Sequence, residues 1–125
     1  MEMTANTTAS RKAKGRKLQQ EVAKLIQDTF SLSELDVRST SMGASGVDVQ
    51  LSSNALNIFP YAIECKCTEK VNLWDAWTQA HSHAVEESNK TGTAVQPMLV
   101  IKKSHKKPII VLDLEAFMNK YLEML

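Results

Sequence analysis

The fold is decided by residues 45–66, which read SGVDVQLSSNALNIFPYAIECK. Apolar and polar residues alternate in two parts of this stretch, residues 47–52 and 61–66, and a period of two is typical of half-buried strands. The stretch therefore predicts a β-hairpin. Because successive side chains of a strand point to opposite faces, one strand presents Asp48 and the other presents Glu64 and Lys66 together.

The chemistry of these three side chains points to a metal-dependent site. Two neighbouring carboxylates repel each other and favour a hard divalent cation such as Mg²⁺, which takes oxygen ligands and keeps several waters. Such an ion acidifies a bound water and stabilises charge on a phosphoryl oxygen. The Lys66 ammonium could orient that water and complement a phosphodiester. The alternative is a solvated surface on which Glu64 and Lys66 form an ordinary ion pair.

Length and charge place further bounds on the protein. A chain of 125 residues fits one compact domain, and we expect residues 11–125 to form it after a disordered lead-in at residues 1–10. The net charge of +1 excludes a strongly basic global field. Basic residues nevertheless form two local patches, which could contact phosphates or simply keep the surface soluble. The patches consist of Arg11, Lys12, Lys14, Arg16 and Lys17, and of Lys102, Lys103, Lys106 and Lys107.

Targeting signals and cysteine usage indicate a cytoplasmic protein. No apolar run is long enough to span a bilayer, and the threonine-rich start has no signal-peptide core. Cys65 and Cys67 lie two apart on one strand, which is a poor geometry for a disulfide, and no further cysteine could complete a zinc cluster. We expect both to be reduced packing residues.

Helical periodicity predicts two helices around the hairpin. Residues 11–30 predict an amphipathic helix with Gln19 near its inward face and Glu21 further from it. Residues 35–39 predict a short strand, followed by a loop of small and hydroxylic residues at 40–46 that is either an ordinary flexible loop or an approach to a phosphate. A second helix begins after Asn72 and ends before Gly92.

The second helix carries two tryptophans and two histidines, each of which could serve either structure or binding. Trp74 and Trp77 favour core packing over base stacking. His81 and His83 lie about 200° apart around the helix axis and cannot chelate one ion together. We expect both histidines to lie on the surface.

The end of the chain completes the predicted sheet. Residues 97–101 and 108–112 are continuous apolar runs, which predict strands buried on both faces. Asp113 caps a last helix whose wide apolar stripe favours core packing over a subunit contact. The order αβββαββα predicts a central mixed five-stranded sheet flanked by helices, in the α/β (α+β sandwich) class.

With these motifs in order, the chain resembles the PD-(D/E)xK nuclease superfamily, and within it the archaeal and phage-type Holliday junction resolvases. The resemblance covers the basic lead-in from Arg11 to Arg16, the Val37-Arg38-Ser39 strand, Asp48, the Glu64-Cys65-Lys66 motif and the helix with Gln79. It implies a restriction-endonuclease-like fold and a homodimer of bacterial, archaeal or viral origin. The implied reaction is Mg²⁺-dependent hydrolysis of DNA phosphodiesters, with Mn²⁺ as a substitute, in DNA recombination and repair.

The resemblance also implies roles for individual residues. Asp48, Glu64 and the backbone carbonyl of Cys65 correspond to the metal ligands, and Lys66 to the lysine that positions the attacking water. The hydroxyl beside the scissile phosphate falls on Ser39 or Ser41. The remaining DNA contacts implied are those of Arg11, Lys14, Arg16, Lys17 and Gln79.

Two positions depart from the family pattern. Val47 stands where the motif name has proline. Gln19 stands where archaeal resolvases place a glutamate on the first helix, with Glu21 two places on as the alternative. The neutral amide of Gln19 could bind a metal through water but adds no negative charge to hold a second ion.

The sequence thus predicts a homodimeric, metal-dependent Holliday junction resolvase that acts on four-way DNA junctions. One alternative is another structure-specific or restriction-like nuclease of the same fold. A second alternative is a non-catalytic DNA-binding or assembly protein that kept the fold without turnover.

Overall fold

The computed structural model describes residues 8–41 and 46–125. Residues 1–7 of the predicted disordered lead-in and residues 42–45 of the predicted loop lie outside the described residues. The helices are α1 Thr8–Phe30, α2 Ser53–Ile58, α3 Leu73–Thr91 and α4 Leu114–Glu123, and the strands are β1 Val37–Ser39, β2 Val49–Leu51, β3 Tyr61–Cys67, β4 Gln96–Lys102 and β5 Ile109–Val111. No helix in the described ranges is long and apolar enough to cross a membrane.

The strands form one mixed sheet in the order β1-β2-β3-β4-β5. Neighbouring strands run antiparallel except β3 and β4, which are parallel. Parallel neighbours need a crossover connection, and α3 supplies it. The predicted fold class, a mixed five-stranded sheet with flanking helices, is confirmed.

A short helix that the sequence pattern did not predict separates the two central strands. β2 and β3 pair antiparallel with Val49 opposite Ile63, as the hairpin prediction requires. Their connection contains α2, whose N-terminus is capped by Ser52: its side-chain oxygen accepts a hydrogen bond from the Ala55 N–H at 3.1 Å. Ala55 and Leu56 are buried beneath this turn. A polar cap followed by two buried apolar residues stabilises a helix too short to show a period.

The core lies on both faces of the central strands. On one face, Leu18 of α1 packs in a cluster with Ile63 and Cys65 of β3. Beneath α3, a smaller cluster joins Ala76 and Ala80 to Leu99 of β4. β3 is therefore covered by helices on both sides, which fixes the direction of each side chain along it.

The end of the chain differs from the prediction. β4 is buried as expected, but β5 is an edge strand with Ile109 and Ile110 60% and 51% exposed. Asp113 caps α4, accepting a hydrogen bond from the Ala116 N–H at 2.8 Å, yet α4 contains no buried residue. The prediction that its apolar stripe packs into the core was wrong, because α4 follows the edge strand β5 and none of the described residues that pack in or against the two core clusters belongs to α4. The exposed stripe consists of Leu114, Phe117, Met118, Tyr121, Leu122 and Leu125.

Candidate active site

Asp48 is fixed at the start of β2 by backbone and side-chain hydrogen bonds. Its N–H donates to the Ile63 carbonyl at 2.9 Å, and its own carbonyl accepts from the Thr40 N–H at 2.9 Å. The chain enters this position through Gly46, which has a φ of +94° that other residues rarely adopt. Oδ2 of Asp48 accepts a hydrogen bond from the Cys65 N–H at 2.8 Å. The aspartate side chain is thereby held against β3.

Glu64 lies in the middle of β3 and is only 3% exposed. Its Oε2 is 2.5 Å from Nδ1 of His83, which projects from α3. A buried carboxylate needs a hydrogen-bond donor or a positive charge to offset its desolvation. The imidazole of His83 supplies this partner and fixes the direction of the Glu64 side chain.

The charges of this cluster act on one another. Burial raises the pKa of Asp48, opposed first by the Cys65 backbone hydrogen bond and then by the positive charge of Lys66. Burial, together with the negative charge of Asp48, raises the pKa of Glu64 to about 7, while His83 and Lys66 act in the opposite direction. The structure thus brings together the two carboxyl groups and the lysine that the sequence singled out.

An open groove of about 660 Å³ adjoins this cluster. Lys66 and His83 line it, and Gln79, an exposed residue of α3, lies in the same wall. We call it the site groove; its other lining residues include Thr68, Lys70, Val71, Asp75 and Ser82. Gln79 therefore borders the approach to the site, whereas none of its described contacts joins it to either carboxylate.

Gln19 and Glu21 occupy different environments on α1. Gln19 is 5% exposed, and within the described residues its Oε1 is buried without a hydrogen-bond partner. Glu21 is exposed and lines a separate groove with Lys14 and Lys17. Of the two, only Gln19 faces inward, as the helical period predicted. Its described contacts do not reach Asp48, Glu64 or Lys66.

The other predicted DNA contacts lie on or just after β1, next to the backbone of Asp48, and on α1. Ser39 ends β1 and is half-buried, while Ser41 is exposed; neither hydroxyl has a hydrogen-bond partner among the described residues. Arg11, Arg16 and Lys17 are exposed on the first turns of α1. Lys14 is half-buried and donates to Oγ of Ser104 at 3.5 Å.

The histidine prediction was half wrong. His81 is exposed as expected, but His83 is half-buried against Glu64. The signal was available in the sequence, because His83 follows Ala80 by three residues and Ala76 by seven, and both alanines are buried. Residues at these spacings share one helix face. Trp74 is a second correction: it is 74% exposed and does not pack in the core.

The donor set of the site fits a hard cation better than a soft one. Among the described residues, no three side chains of His, Cys, Asp and Glu are grouped so as to hold a metal ion. The acidic side chains available are the carboxylates of Asp48 and Glu64, whose mutual repulsion an added positive charge would relieve. Mg²⁺ uses one or two carboxylates and completes its shell with water and substrate oxygens.

Comparisons with protein-family models, curated proteins and solved structures gave no match to this chain.

We predict that the metal-free protein loses stability as the pH rises from about 5 to about 8. The pKa of Glu64 rises from its usual 4.5 to about 7 on folding, so the folded state holds an extra proton between these values. The free energy of unfolding therefore falls across this range and levels off above it, where the fold must bury an ionised carboxylate. Thermal unfolding in EDTA, followed by circular dichroism at successive pH values, measures the change.

Two glutamate variants control this measurement. Glu64→Gln keeps the shape and removes the titrating group, so its unfolding midpoint should vary less with pH. Glu21→Gln alters an exposed carboxylate of α1 and should keep the wild-type slope. Equal slopes in all three proteins would contradict the assignment of the pH dependence to Glu64.

We also predict that His83→Ala destabilises the protein by about 1–3 kcal/mol at pH 8, because a buried carboxylate loses its partner. The effect should be smaller at pH 5, where Glu64 is protonated. His81→Ala on the same helix serves as the matched control and should change the free energy of unfolding by no more than about 0.5 kcal/mol. Urea denaturation measures both, and similar effects for the two variants would exclude a supporting role of His83.

Proposed function

We propose that this protein is a metal-dependent endonuclease that hydrolyses DNA phosphodiesters, and that its substrate is a four-way DNA junction. The observation that carries the proposal is the convergence of Asp48, Glu64 and Lys66 from two adjacent strands beside an open groove. The order of these groups along the chain, the mixed sheet and the inward Gln19 agree with the resemblance to PD-(D/E)xK resolvases. The activity would operate in the cytoplasm of a bacterial or archaeal cell, in a protein encoded by that cell or by its virus.

Each residue of the cluster has a separate task in this reaction. Asp48, Glu64 and the backbone carbonyl of Cys65 would hold Mg²⁺ or Mn²⁺, which supplies an acidified water and charge stabilisation at the phosphoryl oxygens. The Lys66 ammonium lies at the groove wall, where it can orient the attacking water and neutralise the phosphate. His83 is a positioning residue, since it acts through Glu64. Hydrolysis joins the water oxygen to phosphorus and breaks the bond from phosphorus to the 3′-oxygen. That oxygen takes up a proton and leaves as the 3′-hydroxyl, and the phosphate stays on the 5′-oxygen of the other fragment.

The exposed apolar face of α4 supports a homodimer. A soluble monomer rarely exposes a large contiguous apolar patch, and Phe117, Tyr121 and Leu122 line a surface groove of about 550 Å³ on this helix. A four-way junction requires two symmetric cuts, and a two-fold axis provides two active sites in the matching arrangement. We assign the α4 face to the contact between two copies of this chain.

We predict that the protein nicks synthetic four-way junctions symmetrically in Mg²⁺ and that EDTA abolishes the reaction. Flaps, linear duplex and single strands assayed in parallel identify the substrate, and preferential cleavage of one of these would favour another nuclease of the same fold. Junction binding that is unchanged by Mg²⁺ and yields no product would favour a non-catalytic DNA-binding protein.

Matched aspartate variants test the roles in the site. Asp48→Asn removes a negative charge from the cluster and should lower the rate of cleavage at least about 100-fold. Asp28→Asn makes the same change at an exposed position of α1, where the carboxylate pairs with Lys24, and should leave the rate unchanged. Nicking that persists in Asp48→Asn would refute the proposed site.

We predict that Leu122→Asp dissociates the dimer, because a charge at the centre of an apolar contact opposes its burial. Leu35→Asp introduces the same charge at a residue that is 90% exposed outside α4, and it should leave the mass in solution unchanged. Analytical ultracentrifugation of the three proteins gives the comparison. A monomeric wild-type protein, or a dimer that survives Leu122→Asp, would show that α4 has another use.

A further inference from the structure

The fold brings together two basic segments that lie far apart in the chain. Five of the fifteen Lys and Arg residues lie on the first turns of α1, three lie in the turn between β4 and β5, and Lys102 ends β4 beside that turn. Lys14 and Ser104, 90 residues apart, are joined by the hydrogen bond from Nζ to Oγ. The protein has a net charge of only +1, yet six of its fifteen Lys and Arg residues line the two adjoining grooves described next.

A groove of about 250 Å³ lies where the two segments meet. Lys14 and Lys17 of α1 face Lys102 and His105 across it, with Glu21 among the lining residues. Glu69 braces the turn, since its Oε2 accepts a hydrogen bond from the Ser104 N–H at 2.9 Å. Within the described part of the chain, none of the six lysines that line this groove and the next forms an ion pair.

A second groove connects this surface to the site groove. It has a volume of about 540 Å³, with Lys103, Lys106 and Lys107 on its walls. It shares Lys102 with the groove at α1, and it shares Thr68 and Val71 with the site groove. We call the continuous surface formed by the three grooves the basic track.

The position of the basic track follows from the sheet topology. Cys67 and Lys102 are opposite one another at the carboxyl ends of the parallel strands β3 and β4. The chain leaves both strands at the same edge, so the residues after β3 and the lysine turn after β4 lie side by side. Ligands of α/β sheets bind outside this edge because the loops that recognise them gather there.

We infer that the basic track binds the phosphate backbone of DNA that extends beyond the carboxylate site. A row of lysines spread over three connected grooves fits an extended polyanion better than a single phosphate group. Lysine contacts to phosphates provide affinity that is independent of sequence and sensitive to salt. The inference rests on the proposed function in one respect, namely that the DNA strand bound along the basic track also passes through the site groove. Binding along the basic track itself needs no metal.

Two double variants and a matched control test the basic track. Lys14→Ala/Lys17→Ala removes its α1 end, and Lys103→Ala/Lys107→Ala removes two exposed lysines of the turn. Lys24→Ala/Lys120→Ala removes the same charge from positions outside the three grooves. Fluorescence anisotropy with a labelled duplex of about 30 base pairs, in EDTA and over a series of salt concentrations, measures binding.

Each track variant should bind at least about 10-fold more weakly than wild type. Loss of two phosphate contacts should also reduce the slope of log K against log salt by about 1.8. The control should match wild type in both respects. Track variants that bind like the control, or a wild-type protein that does not bind the duplex, would overturn the inference.

Cleavage measured on the same proteins separates the two proposals. If the track variants bind more weakly but the wild-type protein does not cleave in Mg²⁺, the DNA-binding role of the basic track stands and the proposed nuclease activity is rejected. If the wild-type protein cleaves and the track variants bind as well as it does, the proposed nuclease activity stands and the DNA-binding role of the basic track is rejected.

Discussion

The hydrogen bond from the Cys65 N–H to Oδ2 of Asp48 is the contact on which the candidate site depends. It lies beside the backbone bond from the Asp48 N–H to the Ile63 carbonyl. Together they extend the pairing of β2 and β3 beyond the opposed residues Val49 and Ile63. The hydrogen bonds of the sheet consequently fix the Asp48 carboxylate in one position, which an exposed, unpartnered side chain would not keep. A pair of acidic groups held in this way is preorganised before any ligand arrives.

Two carboxyl groups buried next to each other destabilise the metal-free fold. Burial raises the pKa values of both carboxyl groups, and the negative charge of Asp48 raises that of Glu64 further. A buried charge is tolerated only with partners. His83 and Lys66 provide part of the compensation from α3 and β3. Strongly perturbed carboxyl groups beside an open groove are typical of functional sites. A bound cation would neutralise the negative charge that His83 and Lys66 leave uncompensated. For this reason we interpret the cluster as a candidate active site rather than as a structural ion pair.

The crossover from β3 through α3 to β4 organises the surroundings of the site. It places His83 over Glu64, and it directs the chain out of both parallel strands at one edge. The lysine turn after β4 then meets the basic start of α1. One connection therefore accounts for the support of the glutamate, the site groove and the basic track. The apolar face of α4 lies outside this unit, at the edge strand β5.

The sequence by itself determined the central strands, the two long helices, the caps Asn72 and Asp113, and the places of Asp48, Glu64 and Lys66 on their strands, because strand and helix periods and capping preferences are local properties. Tertiary structure decided the rest. α2 is too short to have a period, and the exposure of β5 depends on which strands the helices cover. His83 could have been found from its spacing to Ala76 and Ala80, but its partner lies on another element. The union of the two basic segments depends on contacts 90 residues apart, which no local pattern encodes.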